Sequence, residues 1–242
     1  MVFPIVGGTQ DVAYDVSNSV RFRPAGQAQM SQGNGTQTNS KKWTISLWVK
    51  IAFDVTATAQ KGLYSSTGSS SNGSFVQFSD SALKIGCQGV SETDWHRFIG
   101  NPAIQFRDPS AWYHLCFGFD STQGTDSNRI KSYVNGVQVD YLDGEGNYPA
   151  QNDDSNFNNG SDCAIGKNIT SNDSYFDGYI SQFYFIDGTQ YAASDFGRFN
   201  TRGVWVPKKF IGTFGNNGTF VEGDSNTADA SGNGNNFGQS NT

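Results

Sequence analysis

Charge is scarce in this chain. Asp, Glu, Lys and Arg make up 16% of its 242 residues, against about 25% in an average globular protein. Its polar surface must therefore be built from Ser, Thr, Asn and Gln. The formal net charge is -6 and no stretch forms a basic stripe. Binding nucleic acid by neutralising phosphates is therefore not expected. The pairs Lys41-Lys42 and Lys208-Lys209 read as solvated surface. No segment approaches the ~20 apolar residues of a membrane helix, so no membrane insertion is expected. The opening MVFPIVGGTQDVAYD has neither the basic start nor the apolar run of a signal peptide.

Cysteine is sparse too. Cys87, Cys116 and Cys163 are odd in number, widely spaced and form no CxxC. That spacing supports neither a disulfide framework nor a zinc site. Free Cys behaves as a small hydrophobe, so three buried thiols are expected.

Catalytic residues are equally thin. A retaining glycoside hydrolase needs two carboxylates about 5–5.5 Å apart. The three Glu, at 92, 145 and 222, fall in separate predicted loops, and no predicted strand carries paired acids. No GxSxG elbow occurs. Of the two His, His114 lies in an apolar strand and reads as packed, while His96 reads as a surface contact in a loop. No enzyme is expected.

What the chain has is Gly (29 residues) and aromatics (14%), which suits a β domain with many tight turns. A length of 242 residues fits one large β domain. Trp43 to Lys50 alternates, with Ile45, Leu47 and Val49 on one face and Thr44, Ser46 and Trp48 on the other. Period two marks a half-buried strand. Ser19 to Arg23 does the same over a shorter length. Ser74–Phe78 and Ala82–Gly86 read as a hairpin. Trp112 to Phe119 reads as a central strand, and Cys163 to Ile165 as a short one. Tyr175 to Ile186 looks buried on both sides, with Tyr179, Phe183 and Phe185 on one parity. Asn135-Gly136 between alternating runs signals a tight hairpin, since both turn residues need φ > 0. Only Ala192 to Phe199 fits a helix, of about two turns. The expected fold is all-β, a two-sheet antiparallel jelly-roll sandwich. Residues 1–16 form an N-terminal arm, 17–199 the sandwich, and 200–242 a C-terminal extension. That extension is partly extended and low in complexity, and mobile unless something holds it.

These strands, in order, resemble a known family. Ser19-Val20-Arg21-Phe22 followed by Trp43 to Lys50 is similar to the opening of a laminin-G-like, pentraxin-like domain. Asp108 to Leu115 resembles its central strand, Tyr133-Val134-Asn135-Gly136-Val137 its hairpin, and Tyr175 to Ile180 its closing strand. The set covers roughly residues 17–190 and implies the concanavalin A-like fold, with carbohydrate, protein or no ligand. The run through Ile186-Asp187-Gly188, Phe196-Gly197 and Gly203 to Lys209 resembles laminin-G-like virion proteins of tailed phages, many of them marine. That narrower resemblance implies a non-enzymatic virion structural protein: a capsid decoration, fibre or tail-associated subunit. It would be made in the host cytoplasm, contact other virion proteins and form a homo-oligomer, with a trimer as first expectation. A virion protein, or a chain separated from its leader, fits the absence of a signal peptide. The alternative is a lectin-like module that grips host-surface glycans.

Candidate contacts follow from these two readings. Loop aromatics Trp95, Tyr148 and Phe157, with His96, could stack on a sugar or meet a partner. Trp43, Trp48 and Trp112 lie on strands and are expected in the core. Asn152, Asp153 and Asp154, joined by Asp120 and Asp173, could supply oxygens to calcium, or form a solvated acidic loop. Trp205, Phe210 and Phe214 could anchor an assembly contact, or pack on their own sandwich.

Overall fold

The alternation in residues 42–51 sets the architecture. In this computed structural model, Trp43, Ile45, Leu47 and Val49 are all fully buried between two sheets. Each such side chain contributes roughly 1.5–3 kcal/mol on burial. Thr44, Ser46, Trp48 and Lys50 face the other way. The structure describes residues 14–53, 59–67, 73–79, 82–87, 95–99 (backbone only), 106–139, 147–158, 162–169, 171, 174–224 and 227–240.

The front sheet runs β1 (Val20–Phe22), β12 (Gly178–Asp187), β3 (Lys42–Ile51), β8 (Tyr113–Asp120), β9 (Ile130–Val134) and β10 (Val137–Val139). A seventh strand, β15 (Thr219–Val221), also pairs with β12. The back sheet runs β16 (Gly238–Ser240), β2 (Gln29–Gly33), β11 (Asp162–Ile165), β4 (Lys61–Thr67), β5 (Gly73–Ser79), β6 (Ala82–Cys87) and β7 (Trp95–Ile99). Within both sheets the paired strands are antiparallel. The expected two-sheet jelly roll is what the chain forms. β8 is central, as its apolar run implies. Asn135 (φ 48°) and Gly136 (φ 80°) make the tight turn between β9 and β10.

Three expectations need correction. The bulge between Ser181 and Tyr184 inserts an extra residue in β12, with Gln182 at φ 49°. Parity flips there. Ile180 therefore joins Phe183 and Phe185 in the inter-sheet core, while Tyr184 and Ile186 face outward. Residues 192–199 form no two-turn helix. A single 3-10 turn at Ala193–Asp195 leads into β13 (Gly197–Phe199), which pairs with β14 (Trp205–Pro207) as a separate ribbon.

The sandwich also does not end at residue 199. β15 and β16 add a strand to each sheet, and Val221 and Phe237 belong to the main core. The glycine- and asparagine-rich run is held rather than loose. Asp229 accepts hydrogen bonds from the backbone N–H groups of Phe220 (2.9 Å), Ser231 (2.8 Å) and Asn235 (3.0 Å). Asn233 and Asn235 both donate side-chain N–H groups to the Gly218 carbonyl at 2.8 Å.

Candidate functional site

The outer face of the front sheet divides into a covered half and an open half. The covered half lies under the segment after β12. Cys116, Tyr184, Ile186, Ala193, Phe196, Phe210 and Phe220 form a second apolar cluster there, with Tyr133, Tyr191, Trp205 and Phe214 packed against it. Phe210 stacks on Phe196 with ring centres 4.9 Å apart, and Phe214 meets Phe210 edge-on at 5.2 Å. Tyr184 stacks on Phe220 at 4.2 Å. Two of the three candidate assembly anchors, Phe210 and Phe214, thus pack on their own sandwich.

Trp205 is the hinge between the two halves. Its indole fits over Gly136 and Gly197, where any Cβ would overlap the ring. It contacts His114 at 5.8 Å between ring centres, and His114 in turn contacts Trp48 at 5.1 Å. His114 is fully buried. Burial pushes its imidazolium pKa down to about 3, so the ring is neutral at physiological pH. The packed, non-catalytic reading of His114 fits this position.

The open half holds a groove of about 340 Å³ lined by Val16, Ser17, Asn18, Ser19, Trp48, Trp112, Ser181 and Pro207. Trp48 is half-buried, and Trp112 is 37% exposed. The sequence reading placed both in the core, and the structure places both on the outer face. Among the tryptophans whose side chains are described, only Trp43 is fully buried, stacked on Phe119 at 5.0 Å. Alternation had shown that Trp48 opposes Ile45 and Leu47; it had not shown that this second face stays partly uncovered. The groove's volume falls at the small end of the range of ligand pockets, and its lining divides evenly between apolar and polar residues. The Ser181 hydroxyl is tied to the Asn18 carbonyl, which fixes the polar wall. The Trp205–His114–Trp48 array backs the floor and holds the Trp48 ring in place.

The predicted contact residues do not gather here. Phe157 is fully buried and packs against Trp43 (4.8 Å) and Tyr64 (5.7 Å); it is a core residue and cannot stack on a sugar. Tyr148 is half-buried against the main core. Trp95 and His96 lie on β7, paired with Cys87 and Gly86, rather than in a loop; their side chains lie outside the described residues.

The acidic loop is occupied by protein cations. Lys42 Nζ pairs with Asp120 at 3.1 Å, and Lys41 Nζ with Asp154 at 3.0 Å. Lys41 also donates to the Asn152 carbonyl at 2.5 Å, and the Ser121 hydroxyl to the Asp153 carbonyl at 2.6 Å. Burial alone would raise the Asp120 pKa, but Thr122, Gln123 and Lys42 outweigh it and hold it below the usual carboxylate range. Asp173 lies outside the described residues. Among those described, no three His, Cys, Asp or Glu side chains converge on a metal position. Of the candidate calcium residues, Asp120 and Asp154 are thus engaged by lysines, and Asn152 and Asp153 through their backbone carbonyls. Lys41 and Lys42 are corrected from solvated surface to counter-ions of Asp154 and Asp120.

The three cysteines are free and buried. Burial raises all three thiols, Cys163 up to about 12, so none is a ready thiolate. Among the described residues no helix is long and apolar enough to cross a membrane.

Residues 24–194 match the family profile Laminin_G_3, described as the Concanavalin A-like lectin/glucanases superfamily. The chain belongs to this superfamily. Among curated proteins none matches. Solved structures of the concanavalin A-like fold align at low identity. The receptor-binding domain of botulinum neurotoxin mosaic serotype C/D aligns at TM-score 0.50 and 11% identity, covering 76% of this chain and 42% of that one. A heptameric SAP-like pentraxin from Limulus polyphemus aligns at TM-score 0.49 and 16% identity, covering 74% and 80%. Domains LG4-5 of the mouse laminin α1 chain align at TM-score 0.48 and 9% identity, covering 78% and 47%. At these identities the likeness is one of fold. The laminin-G-like resemblance read from the strand motifs is thus borne out at the level of superfamily and fold.

Proposed function

We propose that this concanavalin A-like chain is a non-catalytic glycan-binding module that uses the Trp48–Trp112 groove. The observation that carries the reading is an exposed indole beside a half-buried one, over polar walls. An indole face presents a large apolar surface with a negative quadrupole. The C–H face of a pyranose ring complements it, while Ser17, Asn18 and Ser19 are placed to meet hydroxyls. The described lining contains no carboxylate, so a two-carboxylate hydrolytic mechanism has no support there. Glu222, the one described Glu, is exposed at the end of β15.

A glycan array probed with the wild-type chain and Trp112→Ala tests this. Binding by the wild type, lost in the variant with the fold intact, is the expected result. An empty array for the wild type, or equal binding by both, overturns the reading.

A second reading, a displayed virion subunit, is favoured by three exposed apolar residues. Phe199 (52%), Val204 (55%) and Val137 (56%) surround Trp205 and its underlying turn. They lie in or beside the segment that resembles phage virion proteins. Any assembly contact would use this patch rather than Phe210 and Phe214. Light scattering on the wild type and on Phe199→Ser/Val204→Ser tests it: a trimer that becomes a monomer supports the reading, and a wild-type monomer counts against it.

A further inference from the structure

The outer face of the front sheet carries a row of alternating cations and rings beside the groove. Register sets Arg21 of β1 opposite Tyr179 of β12, and Tyr179 opposite Lys50 of β3. β3 and β8 pair Val49 with Tyr113. One step further, Lys50 stands in line with Trp112. Ser181 and Trp48, on the groove floor, form the next outward row. The order across the sheet is thus Arg21, Tyr179, Lys50, Trp112.

The two cations differ in what they already hold. Arg21 is committed: it pairs with Asp177 at 2.7 Å, donates to the Gly178 carbonyl at 3.1 Å and lies 5.1 Å over the Tyr179 ring. Lys50 makes no ion pair among the described residues. Asp108, whose carboxylate feels the Lys50 charge, is exposed, and its own bonds go to the Ser110 N–H (2.8 Å) and hydroxyl (2.5 Å). Among the described residues Lys50 is therefore an uncommitted ammonium on a half-buried stem, flanked by two exposed rings.

We propose that this row makes the groove selective for acidic oligosaccharides, with Lys50 Nζ taking the carboxylate of a sugar acid whose ring lies on Trp112. The inference rests on the glycan reading above and narrows it. A charge-assisted hydrogen bond to a carboxylate is stronger than one to a hydroxyl. The net charge of -6 opposes densely charged polyanions through the whole-molecule field. One free ammonium matches carboxylates spaced along an otherwise neutral chain.

The test is an array of matched pairs, each a uronic-acid oligosaccharide beside its methyl ester, followed by calorimetry on the best pair. The acid binds about tenfold more tightly than the ester, and the preference shrinks at high salt. Lys50→Met brings the acid down to the level of the ester, while Lys50→Arg keeps the preference. Acid and ester binding equally well overturns this inference but leaves the glycan reading intact. A preference that survives Lys50→Met also overturns it. Binding of neither member of any pair, with neutral glycans also silent, overturns both.

Discussion

The Trp205 indole donates its Nε1–H to Nδ1 of His114 at 3.1 Å. An indole N–H has no acceptor character, so His114 Nδ1 must carry the lone pair. The hydrogen then sits on Nε2, which donates to the Ser46 hydroxyl oxygen at 2.9 Å. The ring is fixed in one tautomer by partners from β3 and β14, and protonating Nδ1 would break the Trp205 bond.

That geometry sets a pH dependence. The folded-state pKa of His114 is lowered from 6.5 to about 3 by burial. Above pH 6.5 both folded and unfolded chains hold the ring neutral, and stability is full. Below it, the unfolded chain takes up a proton that the folded chain refuses. Stability therefore falls as pH drops from about 6.5 toward 3, by up to about 1.4 kcal/mol per pH unit. Urea melts at pH 7, 6 and 5 should show this slope in the wild type and a flatter one in His114→Gln. Identical slopes would sink the assignment.

Gly197→Ala would press a methyl group into the Trp205 indole. We expect a loss of about 1–3 kcal/mol, with a shift in tryptophan fluorescence as the ring leaves His114. Gly136→Ala should cost more, because its φ of +80° adds backbone strain. Denaturation midpoints check both; an unchanged Gly197→Ala midpoint would show that Trp205 yields freely.

Asp187 is buried and accepts four N–H donors: Thr38 N at 2.6 Å, Asn39 N at 3.1 Å, Asn217 N at 3.0 Å and the Asn158 side chain. It ties three loops to the end of β12. Asp187→Ala leaves these donors unpaired and should cost at least about 3 kcal/mol, read as a drop in the urea midpoint. A cost under about 1 kcal/mol would mean that water replaces the carboxylate readily.

Removing residues 200–242 should unfold the sandwich rather than trim an arm. Phe220 (7% exposed), Val221 (2%) and Phe237 (3%) would leave buried positions, and each sheet would lose a strand. The expected product is insoluble or melts without cooperativity. A truncated chain with a sharp, wild-type-like transition would contradict the packing described above.

The strands that were legible from sequence are those with strict alternation or a diagnostic turn. β3, the β5–β6 hairpin and the Asn135-Gly136 turn all carry their signal locally. What stayed hidden depends on distant residues. Whether Trp48 is core or groove is decided by how far the segment after β12, distant in sequence, covers the outer face. The Gln182 bulge reversed parity because one extra residue in β12 leaves no mark in a run apolar on both faces. Phe157 looked like an exposed loop aromatic because its neighbours Asn156 and Asn158 are polar, yet all three are buried. Cys87 donates no cue either, although its sulfur accepts the Asn156 N–H at 3.4 Å.

One edge of β12 is sealed by two three-residue strands that lie on either side of it in sequence, β1 along residues 178–180 and β15 along 183–185. During synthesis β1 is already made when β12 emerges, while β15 is made only after it. Until then a stretch of unpaired backbone N–H and C=O groups, beside Phe183 and Phe185, stays open to other strands. Nascent chains that pause between Asp187 and Val221 should therefore cross-associate, and expression should be sensitive to translation rate over that stretch.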